Sequence, residues 1–514
     1  MVCVLVRRIH QRRLIIANSL ESTHLKCIRL QGTLCREYNV YLFQLTTCIS
    51  FLFSFPFFLF GPSNKKETMH VVQVFSIAPT LDSEELPTQT SLPLTFFDIL
   101  WLRSPPIQRI LFYQFSHPTP PFFHTLLPKL INSLSLALGH FFPLAGHLTW
   151  PLHSQNPIIN YKTGDTVSLT AAESDADFNH LAGSNLWESE KMHHLLPHLT
   201  ISHEQATILA LQITLFPNSG FSIGITSHRA VLDAKTSTSF IKSWAYLCRE
   251  SRAATCLPPE LCPFYERILV KDPNQIGEKF VNDWLMQGGS NNRSLMVWDV
   301  QSPEHATGGL FQLSGLDIEK LKNCVVSKQG QNNNINLHLS TFVLSLAYAW
   351  VCRVRAEEME NERVMLILTV DCRGCLEPPL PPTYFGNCVG LRLATAERRE
   401  LLGEDGLFVA VEALSEALES VKKDGVLNGA ENWSSWLLEA DVKAIGVAGL
   451  PNLEAYSCDF GWGGPKKVET VSVERTTVFS LSDSNSGEGI EIGFVSKKTT
   501  MENFASLFAK GLQS

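Results

Sequence analysis

Apolar positions along the chain alternate with a period of two in some segments and recur at helical spacing in others. Val71–Ile77 is rich in β-branched and aromatic residues, which predicts a strand. Phe122–Gly139 carries leucine and isoleucine at intervals of three and four, which predicts an amphipathic helix. Near the C-terminus, Ile490–Val495 predicts a strand that precedes a closing helix. The chain therefore contains both kinds of element over most of its length.

The most informative stretch is Phe221–Phe240, where an alternating apolar segment runs into polar residues. The segment predicts a strand that ends near the basic pair His228 and Arg229, and Asp233 follows four residues after Arg229. A helix is expected to begin directly afterwards, with Thr236 near its first turn. A strand end that carries a basic side chain and an acid four residues later is a common way to mount catalytic groups on a rigid edge. These residues are the first candidates for a site.

The second half of the chain predicts further elements. Ser340 or Thr341 is expected to cap a helix over Phe342–Cys352, and Val364–Val370 has the sequence of a buried strand. Between the halves, the segment Ser251–Pro273 is rich in proline and cysteine and has little periodicity, which is typical of a linker. A chain of 514 residues is long enough for two domains. We expect domains at 69–250 and 276–514, joined by a crossover linker at 251–275.

Composition excludes several functions. The chain is 45% hydrophobic and 18% charged, as expected of a globular protein, and its formal charge of −8 argues against a nucleic-acid partner. Its 13 cysteines are scattered without a framework, which fits a reducing cytosol. Cys372 and Cys375 form the only CxxC, and no second pair follows at zinc spacing, so no metal site is expected.

Several motifs, in order, resemble those of a known family. The stretch His228–Thr236 resembles a His-x-x-x-Asp signature, Tyr384–Cys388 reads Tyr-Phe-Gly-Asn-Cys, and Asp459–Gly463 reads Asp-Phe-Gly-Trp-Gly. Leu92–Asp98 and Asp371–Arg373 also match. Together these motifs resemble the BAHD acyl-CoA-dependent acyltransferases of plants, in particular their malonyltransferase branch, over about residues 70–514. The resemblance implies an α/β (α+β) fold of two chloramphenicol-acetyltransferase-like domains with a solvent channel between them.

The residue expected to do the chemistry differs from the family pattern. Acyl transfer from a thioester to a hydroxyl needs a base for the alcohol proton, and in the family the motif histidine is that base. Here Arg229 stands at that position, and a guanidinium keeps its proton and has no acceptor lone pair. It suits an oxyanion or a malonyl carboxylate instead. His228 is a possible substitute, but neighbouring strand residues point to opposite faces, so we expect it to face away from the channel.

The resemblance implies roles for the other motif residues. Asp233 is expected to pair with Arg373 and hold the motif loop. Three more groups have expected roles, namely a structural motif of Asp459, Gly461 and Gly463, CoA contacts at Ser340, Thr341 and Lys322, and malonyl-donor-associated residues Tyr384, Asn387 and Cys388. A helix cap and a solvated lysine are the alternative for the CoA group. Ala234, Cys375 and Gly464 also depart from the family pattern, and with Arg229 they suggest relaxed selection.

The function implied is transfer of an acyl group, with malonyl favoured, from malonyl-CoA to a hydroxyl of a phenolic glucoside such as a flavonoid or anthocyanin glucoside. The acyl-CoA is a co-substrate, no bound cofactor is expected, and the protein is expected to be a cytoplasmic monomer. Two alternatives stay open. One is a catalytically dead homologue that binds a ligand or partner. The other is a hydroxycinnamoyl or acetyl transferase.

Residues 1–68 differ in character from the rest of the chain. Residues 1–40 are basic, and Tyr41–Phe60 is a phenylalanine-rich run of about 20 residues, the length of a bilayer span. Polar residues and a proline within the run weaken that interpretation. The extension is a signal anchor, an unstructured tail, or an artefact of start-site choice with the true start at Met69. The last is favoured because family members typically begin close to a segment resembling Val71–Pro79.

Overall fold

The structure is a computed structural model that describes residues 68–513 except for 82–84, 116–118, 251–255, 300–305, 330–336, 358–361, 450–451, 473–477, 486 and 488. The N-terminal extension and its apolar run at Tyr41–Phe60 lie outside the described residues, and so does the beginning of the linker. Among the described residues, no helix has the length and apolar character needed to cross a membrane.

The described residues form three sheets. The strands are β1 Met69–Ile77, β2 Gln89–Pro93, β3 Ile107–Gln114, β4 His147–Thr149, β5 Ile158–Lys162, β6 Val167–Ser174, β7 Leu186–Glu188, β8 Gln205–Thr207, β9 Leu209–Phe216, β10 Gly220–Ser227, β11 Ala306–Ser314, β12 Arg363–Asp371, β13 Val389–Glu397, β14 Ala444–Ala448, β15 Lys467–Thr470, β16 Val478–Asp483 and β17 Gly489–Lys497. The first sheet has the strand order β1-β6-β9-β10-β3-β15, the second β13-β12-β14-β16-β17-β11-β7, and the third, a small one, β2-β5-β4-β8. Most neighbouring strands are antiparallel, but β6 and β9 run parallel, as do the pairs β12 with β14 and β14 with β16.

Helices cover the sheets. The α-helices are α1 Phe96–Ile99, α2 Thr119–Pro121, α3 Leu127–His140, α4 Phe178–Gly183, α5 Ser189–His193, α6 Ala234–Glu250, α7 Ile276–Met286, α8 Gly315–Gln329, α9 Thr341–Ala356, α10 Arg398–Leu402, α11 Gly406–Asp424, α12 Trp433–Lys443 and α13 Lys498–Gly511. A π-helical turn, Phe122–Leu126, leads into α3. Short 3-10 turns occur at Phe142–Ala145, Pro259–Leu261, Arg267–Leu269, Arg373–Cys375, Ala430–Asn432 and Ala455–Ser457.

Each of the two large sheets has its own core. In the first, α3 and α6 pack together, and the buried Trp244 donates its indole N–H to the Leu130 carbonyl at 3.1 Å. In the second, α9 packs against α11 and α13, and Trp350 on α9 is fully buried. The strands β9 and β10 are buried along their whole length, which explains their almost continuous apolar sequence. These cores give the site a rigid support.

The two large sheets exchange edge strands. The strand β15 comes from the C-terminal part of the chain but pairs with β3 in the first sheet, with Val468 opposite Leu111. In return, β7 pairs with β11 in the second sheet, with Trp187 opposite Gly308. Gly308 is required there, because a Cβ atom would lie 2.3 Å from the Trp187 ring. Each sheet is therefore completed by the other part of the chain.

The elements predicted from periodicity are confirmed, with longer bounds. The helix expected over Phe122–Gly139 is the π-helical turn and α3, and the strand expected over Val364–Val370 is β12. Ser340 is the N-cap of α9, and its hydroxyl accepts the Val343 N–H at 3.3 Å. The described part of the linker holds two 3-10 turns and a single β-bridge from Phe264 to Tyr384. Together with the mixed sheets, these elements confirm the α/β fold.

Candidate active site

A cavity of about 240 Å³ lies between the two large sheets. Its walls are mostly apolar, with Trp101 and Trp298 among the larger side chains. The strands that supply its walls belong to both sheets, namely β3, β11, β12, β13, β14, β15 and β16. Among the described residues that line it, the charged ones are Arg109, Arg229, Asp233 and Asp483, and none is a histidine. The described lining thus includes Arg229 from the His-x-x-x-Asp-like motif but no imidazole.

Arg229 lies on the cavity wall just beyond the end of β10. Its guanidinium stacks over the Trp101 ring at 3.8 Å. Its Nη1 donates to the Leu232 carbonyl at 3.3 Å and to the side-chain oxygen of Asn387. Burial lowers the pKa of Arg229 to about 10, while the nearby carboxylates of Asp233 and Asp98 act to raise it. Arg229 therefore stays protonated at neutral pH and cannot accept a proton from a substrate hydroxyl.

His228 lies behind the cavity wall and is fully buried. Its main-chain N–H donates to the Ile208 carbonyl at 2.8 Å, and its Nδ1 accepts the Ala230 N–H at 3.3 Å. Its Nε2 has no hydrogen-bond partner among the described residues. Burial lowers the pKa of His228 to about 4, so the ring is neutral at pH 7. His228 is absent from the cavity lining, and it follows the last residue of β10, so the strand alternation used to predict its direction does not extend to it.

Asp233 caps helix α6 and has three donors around its carboxylate. Oδ1 accepts the Thr236 N–H at 2.8 Å, and Oδ2 accepts the Cys388 N–H at 3.0 Å. Oδ2 also forms a fully buried ion pair with Arg373 Nη2 at 2.8 Å, which is the pairing that the resemblance predicted. A carboxylate that accepts from the backbone of two segments and pairs with a buried arginine fixes the loop.

Arg373 joins the motif loop to the segment Tyr384–Cys388. Its Nη2 donates to the carbonyls of Tyr384 and Gly386 and to the Thr236 hydroxyl, at 3.1–3.3 Å. Gly386 has a φ of +134°, a backbone conformation that other residues rarely adopt. Burial acts to lower the pKa of Arg373, but the carboxylates of Asp233 and Asp371 outweigh it and raise that pKa. The segment is thus clamped beside α6.

Asn387 connects Arg229 to a second buried ion pair. Its Nδ2 donates to the Arg229 carbonyl at 3.2 Å and to Asp98 Oδ1 at 3.1 Å, while its Oδ1 accepts from Arg229 Nη1. Asp98 is fully buried and pairs with Arg267, and it also accepts the Thr95 N–H at 3.0 Å. Tyr384, Asn387 and Cys388 are all buried and do not line the cavity.

The roles of Asp98 and Arg267 were missed at the level of sequence. Thr95 and Asp98 form a reciprocal capping box at α1, and a Thr-x-x-Asp spacing before an apolar run is a visible signal for it. Arg267 lies in the segment predicted as a linker, where an isolated arginine carries no pattern. Its contact with Asp98 spans 169 residues of sequence.

Asp459 organises a tight turn away from the cavity. Its Oδ1 accepts the N–H groups of Gly461, Trp462 and Gly463 at 2.7–3.0 Å. Gly461 and Gly463 have φ values of +103° and +94°, so both need the freedom of glycine. The following Gly464 also has little room, because a Cβ atom there would lie 2.4 Å from the Tyr456 carbonyl oxygen. The arrangement is that of a structural turn.

The residues expected to contact CoA lie outside the cavity lining. Ser340 is the N-cap of α9 and Thr341 is its first residue. The side chain of Lys322 on α8 is 44% exposed, and its Nζ lies 3.8 Å from Oε2 of Glu319. Two other departures from the family pattern, Cys375 and Ala234, cause no visible strain in the structure. Cys375 is exposed, and Ala234 is the first residue of α6, outside the set of described residues with positive φ.

The fold is of a class in which two large mixed sheets, each with its own core, enclose a mostly apolar cavity, and here Arg229 lines that cavity. Comparison with known proteins gives the family. The model of the Transferase family matches residues 74–510. Phenolic glucoside malonyltransferase 2 of Arabidopsis thaliana is 37% identical over 87% of this chain and 100% of its own length. The malonyl-CoA:anthocyanidin 5-O-glucoside-6''-O-malonyltransferase of the same plant is 37% identical over 88% and 100%.

Solved structures share the fold. Vinorine synthase superposes with a TM-score of 0.62 at 22% identity, covering 86% of this chain and 98% of its own. TRI101 of F. graminearum, complexed with coenzyme A and deoxynivalenol, superposes with a TM-score of 0.60 at 12% identity, covering 81% and 97%. The chain therefore belongs to the Transferase family, the BAHD acyl-CoA-dependent acyltransferases, as its motifs predicted.

Proposed function

We propose that the protein binds malonyl-CoA and a phenolic glucoside in the cavity between its domains, and that it transfers the malonyl group far more slowly than a histidine-bearing relative. The curated relatives named above, which act on phenolic glucosides and an anthocyanidin glucoside, support the substrate class. The observation that carries the rate part of the proposal is Arg229, which stands on the cavity wall at the position of the base.

The expected loss follows from the reaction itself. The acceptor hydroxyl attacks the thioester carbonyl, a C–O bond forms, the C–S bond breaks and CoA leaves as a thiol, while the hydroxyl proton must pass to a base. A positioned general base typically contributes ~10²–10⁴-fold. Arg229 is protonated, and His228 is fully buried outside the cavity lining. The carboxylate of Asp233 already accepts from Thr236, Cys388 and Arg373. None of these three motif side chains is therefore free to take the proton.

We propose that the remaining motif residues either contact the CoA part of the donor or hold the motif loop in place. The N-terminus of α9, with Ser340 and Thr341, and the exposed Lys322 are proposed to contact the CoA part of the donor. A helix N-terminus attracts phosphate groups and a lysine adds a positive charge. Tyr384, Asn387 and Cys388 are proposed to act on the donor site indirectly, by fixing the loop that carries Arg229 and Asp233.

The test compares the full chain with Arg229→His and Arg229→Gln. Thiol release from malonyl-CoA is measured with a panel of phenolic glucosides, and with acetyl-CoA and a hydroxycinnamoyl-CoA as other donors. We expect Arg229→His to be faster than wild type by ~10²–10⁴-fold, because an imidazole supplies the missing base. Arg229→Gln is the matched control that removes the charge without adding a base, and it is expected to stay slow.

The outcomes separate the candidate functions. Wild-type turnover at the rate of Arg229→His would show that another group serves as base and would contradict the proposal. If the folded Arg229→His variant binds both ligands but stays inactive, the protein is a binding homologue whose other departures also abolish transfer. Faster release with acetyl-CoA or a hydroxycinnamoyl-CoA would reassign the donor.

We also propose that this function belongs to a monomer in the cytoplasm. The described part of the chain contains free thiols that suit a reducing compartment, among them Cys256, Cys324 and Cys375.

A further inference from the structure

The guanidinium of Arg229 has no counter-ion of its own. Within the part of the chain that the structure describes, no carboxylate lies within ion-pair distance of it. The two carboxylates that influence its charge are already committed, since Asp233 pairs with Arg373 and Asp98 pairs with Arg267. A positive charge that is partly removed from water and lacks a partner is costly, and a bound anion would stabilise it.

One edge of the same guanidinium is free. Its Nη1 is used by Leu232 and Asn387, whereas Nε and Nη2 donate to no described residue. Neither of these two nitrogens is among the fully buried side-chain atoms that lack a partner, so both keep accessible surface. In arginine, Nε–H and Nη2–H lie side by side and match the two oxygens of a carboxylate.

The free edge is also held in place. The Cζ atom of Arg229 lies over the Trp101 ring, 3.8 Å from its centroid, and the two Nη1 contacts restrict rotation of the guanidinium about the side-chain axis. A group that is already fixed in its binding geometry loses little conformational freedom when a ligand arrives. We infer that Arg229 forms a carboxylate-binding subsite in the cavity, with Nε and Nη2 as a bidentate donor pair.

The surrounding walls indicate what carries the carboxylate. Trp101, Trp298 and Leu391 line the same cavity, so the body of the ligand is apolar or aromatic and an inorganic anion alone fits poorly. Arg109 adds a second positive charge, with Nη1 donating to the Thr238 hydroxyl. The Asp483 carboxylate accepts the N–H groups of Asn452 and Glu454 at 2.7 and 2.8 Å. Two sources share this chemistry, the terminal carboxylate of a malonyl-type acyl chain and the carboxylate of an aromatic acid.

As a statement about the acyl donor the inference rests on the proposed function, but carboxylate binding can be measured without transfer. The experiment is calorimetric titration of the full chain with two ligand pairs. Malonyl-CoA is compared with acetoacetyl-CoA, in which a methyl ketone replaces the carboxylate, and 4-hydroxybenzoate is compared with 4-hydroxybenzamide. We expect wild type to bind the acid of at least one pair about tenfold more tightly, the effect of one charge-assisted contact.

Three variants locate the effect. Arg229→Gln keeps a hydrogen-bond donor but loses the charge, and it is expected to remove the preference for the acid. Arg229→Lys keeps the charge without the bidentate edge and is expected to retain only part of it. Lys235→Gln is the matched control, because it removes one positive charge from a residue of α6 that pairs with Asp371 and does not line the cavity. It is expected to keep the full preference.

The results distinguish the two sources of the carboxylate, and some of them would contradict the inference. Preference in the CoA pair alone assigns the carboxylate to the acyl donor, and preference in the benzoate pair alone assigns it to an aromatic acid. The inference is wrong if neither acid is preferred, if folded Arg229→Gln keeps the preference, or if Arg109→Gln removes it while Arg229→Gln does not. If neither acid is preferred but Arg229→His is fast, the proposed function holds and the carboxylate subsite is wrong. If an acid is clearly preferred but no variant transfers the acyl group, the subsite holds and the proposed function is wrong.

Discussion

His228 and Arg229 are neighbours in sequence, and burial lowers the pKa of both side chains, yet at pH 7 the first is neutral and the second is charged. The ring of His228 is enclosed and its pKa falls to about 4, so it is neutral at pH 7. The pKa of Arg229 falls to about 10, which still leaves the guanidinium charged. The cavity wall therefore carries a fixed cation at Arg229, which is the electrostatic reason for expecting a slow enzyme and an anion site.

The buried His228 predicts a dependence of stability on pH. Its pKa is about 4 in the folded protein and about 6.5 when unfolded, so the unfolded chain binds more protons between these values. Stability from this group is present above pH 6.5 and is lost as the pH falls toward 4, by about 2 kcal/mol at pH 5. We expect His228→Asn, whose side-chain oxygen can accept the Ala230 N–H, to lose less stability than wild type between pH 7 and pH 5.

Urea unfolding at both pH values measures this difference. Equal losses in wild type and in His228→Asn would show that the ring is protonated in the folded protein, and the account of His228 as a neutral buried group would then be wrong.

At the scale of elements, the motif loop is a joint between α6 and the segment Tyr384–Cys388. Asp233 accepts from the backbone on both sides of this joint, and Arg373 donates to both. The pair is almost completely buried, with about 2% of each side chain exposed. The joint therefore fixes the position of Arg229 relative to the cavity. Arg229, Asp233 and Ala234 line the cavity, whereas Arg373 and the segment Tyr384–Cys388 are absent from its lining.

Breaking this joint is expected to destabilise the fold. Asp233→Asn has nearly the same shape, but all three partners of the carboxylate are donors, so the amide NH₂ must face a donor. We expect a loss of about 3 kcal/mol in the free energy of unfolding, typical of a buried charge left without its partner. Glu319→Gln, which breaks the exposed pair with Lys322, is the control and is expected to cost less than about 0.5 kcal/mol. If both variants lose the same small free energy of unfolding, the Asp233–Arg373 pair does not hold the joint together.

The site shows which contacts a sequence can predict. The helix cap at Ser340 and the positions of the strands follow from local sequence patterns, and they were predicted. The Asp233–Arg373 pair came from the resemblance. The link from Arg229 through Asn387 to Asp98 and Arg267 joins residues more than 150 positions apart, and nothing local specifies it. Such contacts depend on how the sheets assemble, which periodicity does not record.

At the scale of the whole molecule, the exchanged strands make the two halves depend on each other. Without β15, the β3 edge beside Leu111 and Phe112 has no pairing partner, and both side chains are buried in the intact protein. Without β7, the β11 edge at Gly308 loses Trp187. Unpaired edges of buried strands favour aggregation. The cavity has the same dependence, because its walls come from both large sheets.

This arrangement predicts the behaviour of the separated halves. A fragment of residues 69–250 corresponds to the N-terminal domain expected from the sequence, yet it lacks β15. We expect it to be aggregated or only partly folded when produced alone, and to become soluble when co-expressed with residues 256–514, which return β15 to the edge of β3 and receive β7 beside β11. Size-exclusion chromatography and thermal unfolding measure both states, with the full chain as reference. If the 69–250 fragment alone is monomeric and unfolds cooperatively, β15 is dispensable for the first sheet, and the cavity would then be formed by two domains that fold independently and dock afterwards.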